Sequence, residues 1–167
     1  MGGWRAGRET GLERTTDWSE AETLAIVGRH GHREGPLLPI LHEVQEAFGC
    51  VPRDAIPVIA SALNLSRAEV YGVVSFYHDF REAPAGRHVV KLCRAEACQS
   101  MGCEALVARA EERLGTACGS TSPEGVTLEA VYCLGLCATG PSAMVDGQVV
   151  GRLDPKRVDA MIDGLLA

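Results

Sequence analysis

Four of the chain's seven cysteines arrive as two pairs, Cys93-Arg-Ala-Glu-Ala-Cys98 and Cys133-Leu-Gly-Leu-Cys137. The spacings are C-x4-C and C-x3-C, and each pair follows an apolar run of strand character, residues 88–92 before the first and 126–131 before the second. Two strand-end loops with two thiolates each would make a four-sulfur cage, able to hold tetrahedral zinc or an iron–sulfur cluster. Structural zinc favours tighter C-x2-C knuckles, and neither pair has that spacing. A thioredoxin-type dithiol needs C-x-x-C at a helix start, which the sequence lacks. The preferred reading is one [2Fe–2S] cluster ligated by Cys93, Cys98, Cys133 and Cys137, because soft, charged sulfur suits ferric iron bridged by sulfide. A zinc-stabilised interaction module and a thiol-redox enzyme stand as the alternatives. Gly135 and Gly140 are expected to let the second loop's backbone donate N–H bonds to sulfur, and the helix after Cys98 to point its positive end at the first loop.

The other reactive residues have blander readings. Cys103 would lie inside a helix as a small packed residue, and Cys50 and Cys118 are read as buried or spare thiols. His30, His32, His42, His78 and His88 form no ligand-spaced set with the cysteines. Arg94 and Glu96, as single charges in the first loop, are expected to be solvated, and Phe76-Tyr77 to be core. No nucleotide-binding glycine loop, nucleophile elbow or His-Glu metal motif is present. A formal net charge of −6 with no basic, aromatic-studded stripe argues against nucleic acid as a partner. No segment has the length and apolarity of a membrane-spanning helix, and the first residues lack a signal peptide's apolar core, so a cytoplasmic protein without membrane insertion is expected.

The elements that must position the thiols fall into two regimes. Residues 1–17 read as a disordered tail. A helix starts at a Ser19/Glu22 capping box, with Leu24 and Val27 inward and Gly31 at its end. A second uses Leu37, Leu41, Val44 and Phe48 and stops at Gly49. A third spans 54–63, with Ile56, Ile59, Ala60 and Leu63 inward and Pro57 in its first turn. The fourth starts at a Ser66/Glu69 capping box stapled by Leu65 and Val70, and buries Val70, Val73, Val74 and Tyr77. Together these make a helical bundle over 18–84, closed by the breaker Arg81-Glu-Ala-Pro84-Ala-Gly86. From residue 85 to 167 the order is strand (88–92), helix (100–114), strand (126–131), a hairpin turning at Asp146-Gly147, and a last helix opened by Asp154-Pro155. The fold class is therefore α+β: a small N-terminal bundle, then a C-terminal thioredoxin-like α/β domain carrying the cysteines.

The cysteine pattern, behind a helical half containing Val51-Pro52, Leu65-Ser66 and Ser75-Phe76-Tyr77, resembles the thioredoxin-like [2Fe–2S] subunit family. That family includes the 24-kDa subunit of complex I and its relatives in soluble NAD-linked hydrogenases and formate dehydrogenases. The resemblance runs from about residue 20 to the end. The segments Leu38-Pro-Ile-Leu-His-Glu-Val-Gln-Glu-Ala-Phe48 and Phe76-Tyr-His-Asp-Phe-Arg81 are most similar to the gamma subunit of molybdenum-containing, NAD-dependent formate dehydrogenase. What this branch implies is a non-catalytic electron-transfer subunit. Its partners would be a larger subunit with FMN, an NAD site and a [4Fe–4S] cluster, and a molybdopterin-bearing catalytic subunit. The family's ligands carry over to Cys93, Cys98, Cys133 and Cys137. After the last cysteine the family often has Ala-Pro, where this chain has Thr139-Gly140-Pro141.

Overall fold

The period of the apolar residues changes from helical to alternating near residue 88, and the architecture changes with it. The structure, a computed structural model, describes residues 17–167; of the tail expected over residues 1–17, all but the last residue lies outside them. The described residues divide into two compact units, one ending at Pro84 and the other running from Ala85 to Ala167.

The first unit holds four helices, α1 (Glu20–His30), α2 (Leu37–Phe48), α3 (Ala55–Leu63) and α4 (Arg67–Phe76). Their shared core contains Ile26, Ile40, Leu41, Val44, Ile59 and Val70, each stabilising the fold by about 1.5–3 kcal/mol through burial. Gly49 ends α2 at a φ of 78°, in the left-handed region that costs glycine nothing. The reciprocal capping box at Ser66 and Glu69 is present. At Ser19 only half of one forms: the hydroxyl accepts from the Glu22 N–H at 3.3 Å, while the Glu22 carboxylate pairs with Arg29.

Two expected core assignments in this unit are corrected. Leu24 is exposed, and Thr23, Ile26 and Val27 face inward. Thr23 can take an inward position because its hydroxyl is satisfied, donating to the Ser19 carbonyl at 3.0 Å and accepting from the Trp18 indole at 3.0 Å. Phe76 is 72% exposed and Tyr77 44%. The helix ends at Phe76 and Tyr77 is already extended, so helical spacing no longer aims the side chain. Phe80 is the buried aromatic there, tilted against His42 at a ring separation of 5.0 Å.

The second unit is a five-stranded sheet carrying two long helices. In chain order it has β1 (His88–Cys93), α5 (Glu96–Ser100), α6 (Cys103–Leu114), β2 (Ser120–Thr121), β3 (Val126–Val131), a single 3-10 turn (Cys137–Thr139), β4 (Ala143–Val145), β5 (Gln148–Val150) and α7 (Pro155–Leu166). The strand order is β2-β3-β1-β4-β5. β1 and β3 are parallel, from His88 opposite Val126 to Cys93 opposite Val131, and the remaining pairs are antiparallel. Val90, Leu92, Val126 and Leu128 pack with Leu106 and Ala110 of α6 and with Val158 and Ile162 of α7. Alternation sends Lys91 and Glu129, opposite one another, out of that core as an ion pair at 3.6 Å. Asp146 and Gly147 turn the β4–β5 hairpin with φ of 48° and 82°, two left-handed residues of the kind a two-residue hairpin requires.

The expected helix over 100–114 is in fact two. Gly102, at a φ of 83°, sits between α5 and α6, so Cys98 lies within a short helix and Cys103 opens the next. The strand β2 carries no sequence signal, since its two exposed residues show no apolar alternation.

Truncating Leu128 or Ile162 to alanine should cost about 2–5 kcal/mol, whereas Leu24→Ala should stay within about 0.5 kcal/mol, both read from urea unfolding. Glu43 gives a pH test. Burial pushes its carboxyl up, but the Arg29 and His30 partners outweigh this and hold it below the usual carboxylate range. Stability from Glu43 is thus present above the ordinary carboxylate pKa and lost as pH falls through the lowered one. Glu43→Gln should flatten that acid limb.

Candidate metal centre

The parallel pairing of β1 with β3 decides where the thiols go. Cys93 is the last residue of β1 and lies opposite Val131, the last residue of β3. The two strands therefore end side by side, and the loops that leave them start from the same edge. The Arg94 N–H carries the ladder one step further, to the Val131 carbonyl at 2.8 Å, and the Cys93 N–H donates to the Ser142 carbonyl at 2.9 Å.

The first loop buries its thiols and the second exposes them. Cys93 and Cys98 are 3% and 1% exposed, with the Cys98 sulfur 3.7 Å from the Ser142 hydroxyl. Cys133 and Cys137 are exposed, and their sulfurs lie 3.7 Å apart. Cys133 has a φ of 88°, a left-handed conformation that costs a non-glycine residue about 1–3 kcal/mol and needs its surroundings to hold it. Gly135, also left-handed at 76°, donates its N–H to the Cys133 sulfur at 3.4 Å. Gly140 differs from expectation: its N–H goes to the Cys137 carbonyl at 3.4 Å, and its role is proximity. A β-carbon there would stand 3.5 Å from the Cys98 sulfur, so the second loop's backbone lies against the first loop's thiol.

Electrostatics tie the four sulfurs together. Burial pushes the Cys93 thiol up, but the N–H groups of Ala95, Cys133 and Leu134, together with Cys98, outweigh it and bring it below the ordinary thiol value. Two of those N–H groups come from the other loop. Cys137 is pushed up by Cys133 beside it, and also by Cys98 and Cys93 across the gap. Cys137 thus feels sulfur from both loops, an arrangement that favours positive charge placed among them. Among the described residues, no three or more His, Cys, Asp or Glu side chains are gathered closely enough to hold a single ion. The sulfurs are drawn up two and two, a donor set that fits a pair of bridged irons.

The remaining cysteines are placed as follows. Cys103, the first residue of α6, is buried against Cys93 and Cys98, and its thiol is pushed up by that burial. Cys50 is buried and Cys118 half-buried, both pushed up likewise. Arg94 is not the solvated single charge expected: its guanidinium takes both oxygens of Glu104, at 2.9 and 2.7 Å. The Ser142 hydroxyl beside Cys98 is a further site group, and no sequence signal beyond its place near the second pair marks it.

The family model for thioredoxin-like [2Fe–2S] ferredoxins matches residues 23–166. An NADH-quinone oxidoreductase subunit of Rhizobium meliloti (strain 1021) is 34% identical over 147 residues, covering 87% of this chain and 88% of that protein. The NADP-reducing hydrogenase subunit HndA of Solidesulfovibrio fructosivorans is 33% identical over 142 residues, covering 84% and 83%. Among solved structures, an NAD+-reducing [NiFe]-hydrogenase in the air-oxidised state superposes with a TM-score of 0.65 at 25% identity, over 77% of this chain and 22% of that one. No helix among the described residues is long and apolar enough to cross a membrane. The chain therefore belongs to the thioredoxin-like [2Fe–2S] ferredoxin family and is an electron-transfer protein carrying a [2Fe–2S] cluster.

Proposed function

We propose that Cys93, Cys98, Cys133 and Cys137 are the four cluster ligands, and that the chain is one subunit of a cytoplasmic, NAD-linked oxidoreductase complex. The observation that carries the ligand reading is the meeting of the two loops: a β-carbon at Gly140 of the second loop would stand 3.5 Å from the Cys98 sulfur of the first, and the backbone dipoles of Cys133 and Leu134 help to lower the Cys93 thiol. When bound, the cluster accepts and returns one electron at a time. The protein's own part is to fix the thiolates and to aim N–H dipoles at them, since such hydrogen bonds stabilise the more negative, reduced state. The Gly135 N–H on Cys133 serves the exposed side. Burial of Cys93 and Cys98 keeps water from the other.

The partner in this reading is an NAD-binding flavin subunit, whose FMN handles hydride as two electrons and exchanges them singly with this chain. Relatives named as parts of an NADH-quinone oxidoreductase and an NADP-reducing hydrogenase support a nicotinamide-linked complex. The segments 38–48 and 76–81 favour the branch in which a molybdopterin-bearing subunit oxidises formate. The complex I and hydrogenase assemblies are the second reading, favoured by the names of those same relatives.

Cys133→Ser should abolish or strongly weaken the visible charge-transfer absorption and lower bound iron and sulfide, while Cys103→Ser should leave both intact. A full cluster in the first variant would overturn the ligand set, and colourless wild-type protein with one zinc would favour the interaction module. Isolating the native assembly tests the branch: molybdenum with formate-dependent NAD reduction is expected, and nickel or membrane subunits would exclude it.

A further inference from the structure

The link between Arg94 and Glu104 is unusual for its position. Arg94 directly follows Cys93, and Glu104 is the second residue of α6, so their two-pronged contact closes the whole segment containing α5 and Cys98. The segment is also pinned from within, since the Gln99 amide donates to the Arg94 carbonyl at 3.0 Å. Glu104 additionally faces the Cys103 thiol at 3.9 Å, and Cys103 packs on Cys93 and Cys98. A carboxylate in the first turn of a helix is favoured by the dipole, which holds Glu104 in place to receive the guanidinium. Planar, paired bonding of this kind fixes direction as well as distance.

We propose that Arg94 and Glu104 form a charge-balanced clamp, positioning residues that fix the first cysteine loop and, by pairing, keep either charge from shifting the midpoint potential of the bound cluster. The proposal rests on Cys93 and Cys98 being ligands. Reduction adds one negative charge to the cluster, so a nearby cation favours the reduced form and a nearby anion opposes it. Because the two charges of the pair sit together, their effects nearly cancel. Removing one leaves the other acting alone. Both side chains are partly exposed, at 33% and 50%, so the effect shrinks as salt rises.

The test is a redox titration of the full-length, cluster-loaded chain, followed by the EPR signal of the reduced form at low and high salt. Arg94→Gln should lower the midpoint potential and Glu104→Gln should raise it. The double variant R94Q/E104Q should return toward the wild-type value, and the single shifts should diminish at high salt. Arg94→Lys keeps the charge but loses the fork. It should hold the potential near wild type while releasing iron to a chelator about 10-fold faster, as for the loss of a supporting hydrogen bond. Shifts of both single variants in the same direction, or potentials and iron release that do not move, would overturn the clamp. Iron and sulfide content separates the two levels of inference. A wild-type chain that binds neither overturns the ligand reading and the clamp with it, whereas a loaded wild type with unmoved variants overturns the clamp alone. If R94Q fails to assemble a cluster, E104Q and the double variant decide the sign.

Discussion

Parallel, in-register pairing of β1 with β3 is the constraint on which the site depends. Six residue pairs, from His88 with Val126 to Cys93 with Val131, bring both strands to the same edge. Because side chains alternate along a strand, slipping the register by one residue would turn Val126 and Leu128 out of the core and move the origin of the second loop. Burial of Val90, Leu92, Val126 and Leu128 against α6 and α7 therefore fixes more than stability. Apolar packing sets the register, and the register sets where the two cysteine loops leave the sheet.

The two long helices hold that arrangement by different means. Apolar packing joins each to the sheet, while Arg109 of α6 grips Asp159 of α7 through two bonds at 2.7 and 2.5 Å. Asp159 is held below the usual carboxylate range chiefly by that guanidinium. The pair lies largely at the surface, where exposed ion pairs contribute little; orientation is its clearer effect. β4 contributes from the other side of β1, its antiparallel pairing placing Ser142 where its carbonyl takes the Cys93 N–H and its hydroxyl stands beside Cys98.

Much of this is legible in the residues because the strongest signals are local. The strand 126–131, the Asp146-Gly147 turn and the helix opened by Asp154-Pro155, with Val158, Met161, Ile162 and Leu165 buried, need only periodicity and turn chemistry. What escapes such a reading depends on tertiary context. Thr23 displaces Leu24 from the core because Ser19 and Trp18 satisfy its hydroxyl. Gly102 splits a periodic segment that reads as one helix, since a glycine there is compatible with either outcome. Arg94 and Glu104 are ten residues apart across a loop and a helix break, and no spacing rule joins them.

Exposure varies sharply across the thiols, and the strain varies with it. Cys93 and Cys98 are shut in by Cys103 and the end of β3, where close packing leaves little room for alternative geometry. Cys133 and Cys137 stand open, and it is there that the backbone is left-handed at a non-glycine residue. A loop forced into that conformation at the surface has few neighbours to enforce it, so its own hydrogen bonds must. The Gly135 N–H on the Cys133 sulfur, at 3.4 Å, is one. It ends on sulfur, so a bond that holds the loop is also one that would stabilise negative charge on the thiolate. In an electron carrier two demands coincide: an exposed edge must be open to electron exchange, yet its backbone must not move as charge arrives. Directing backbone N–H groups at sulfur answers both.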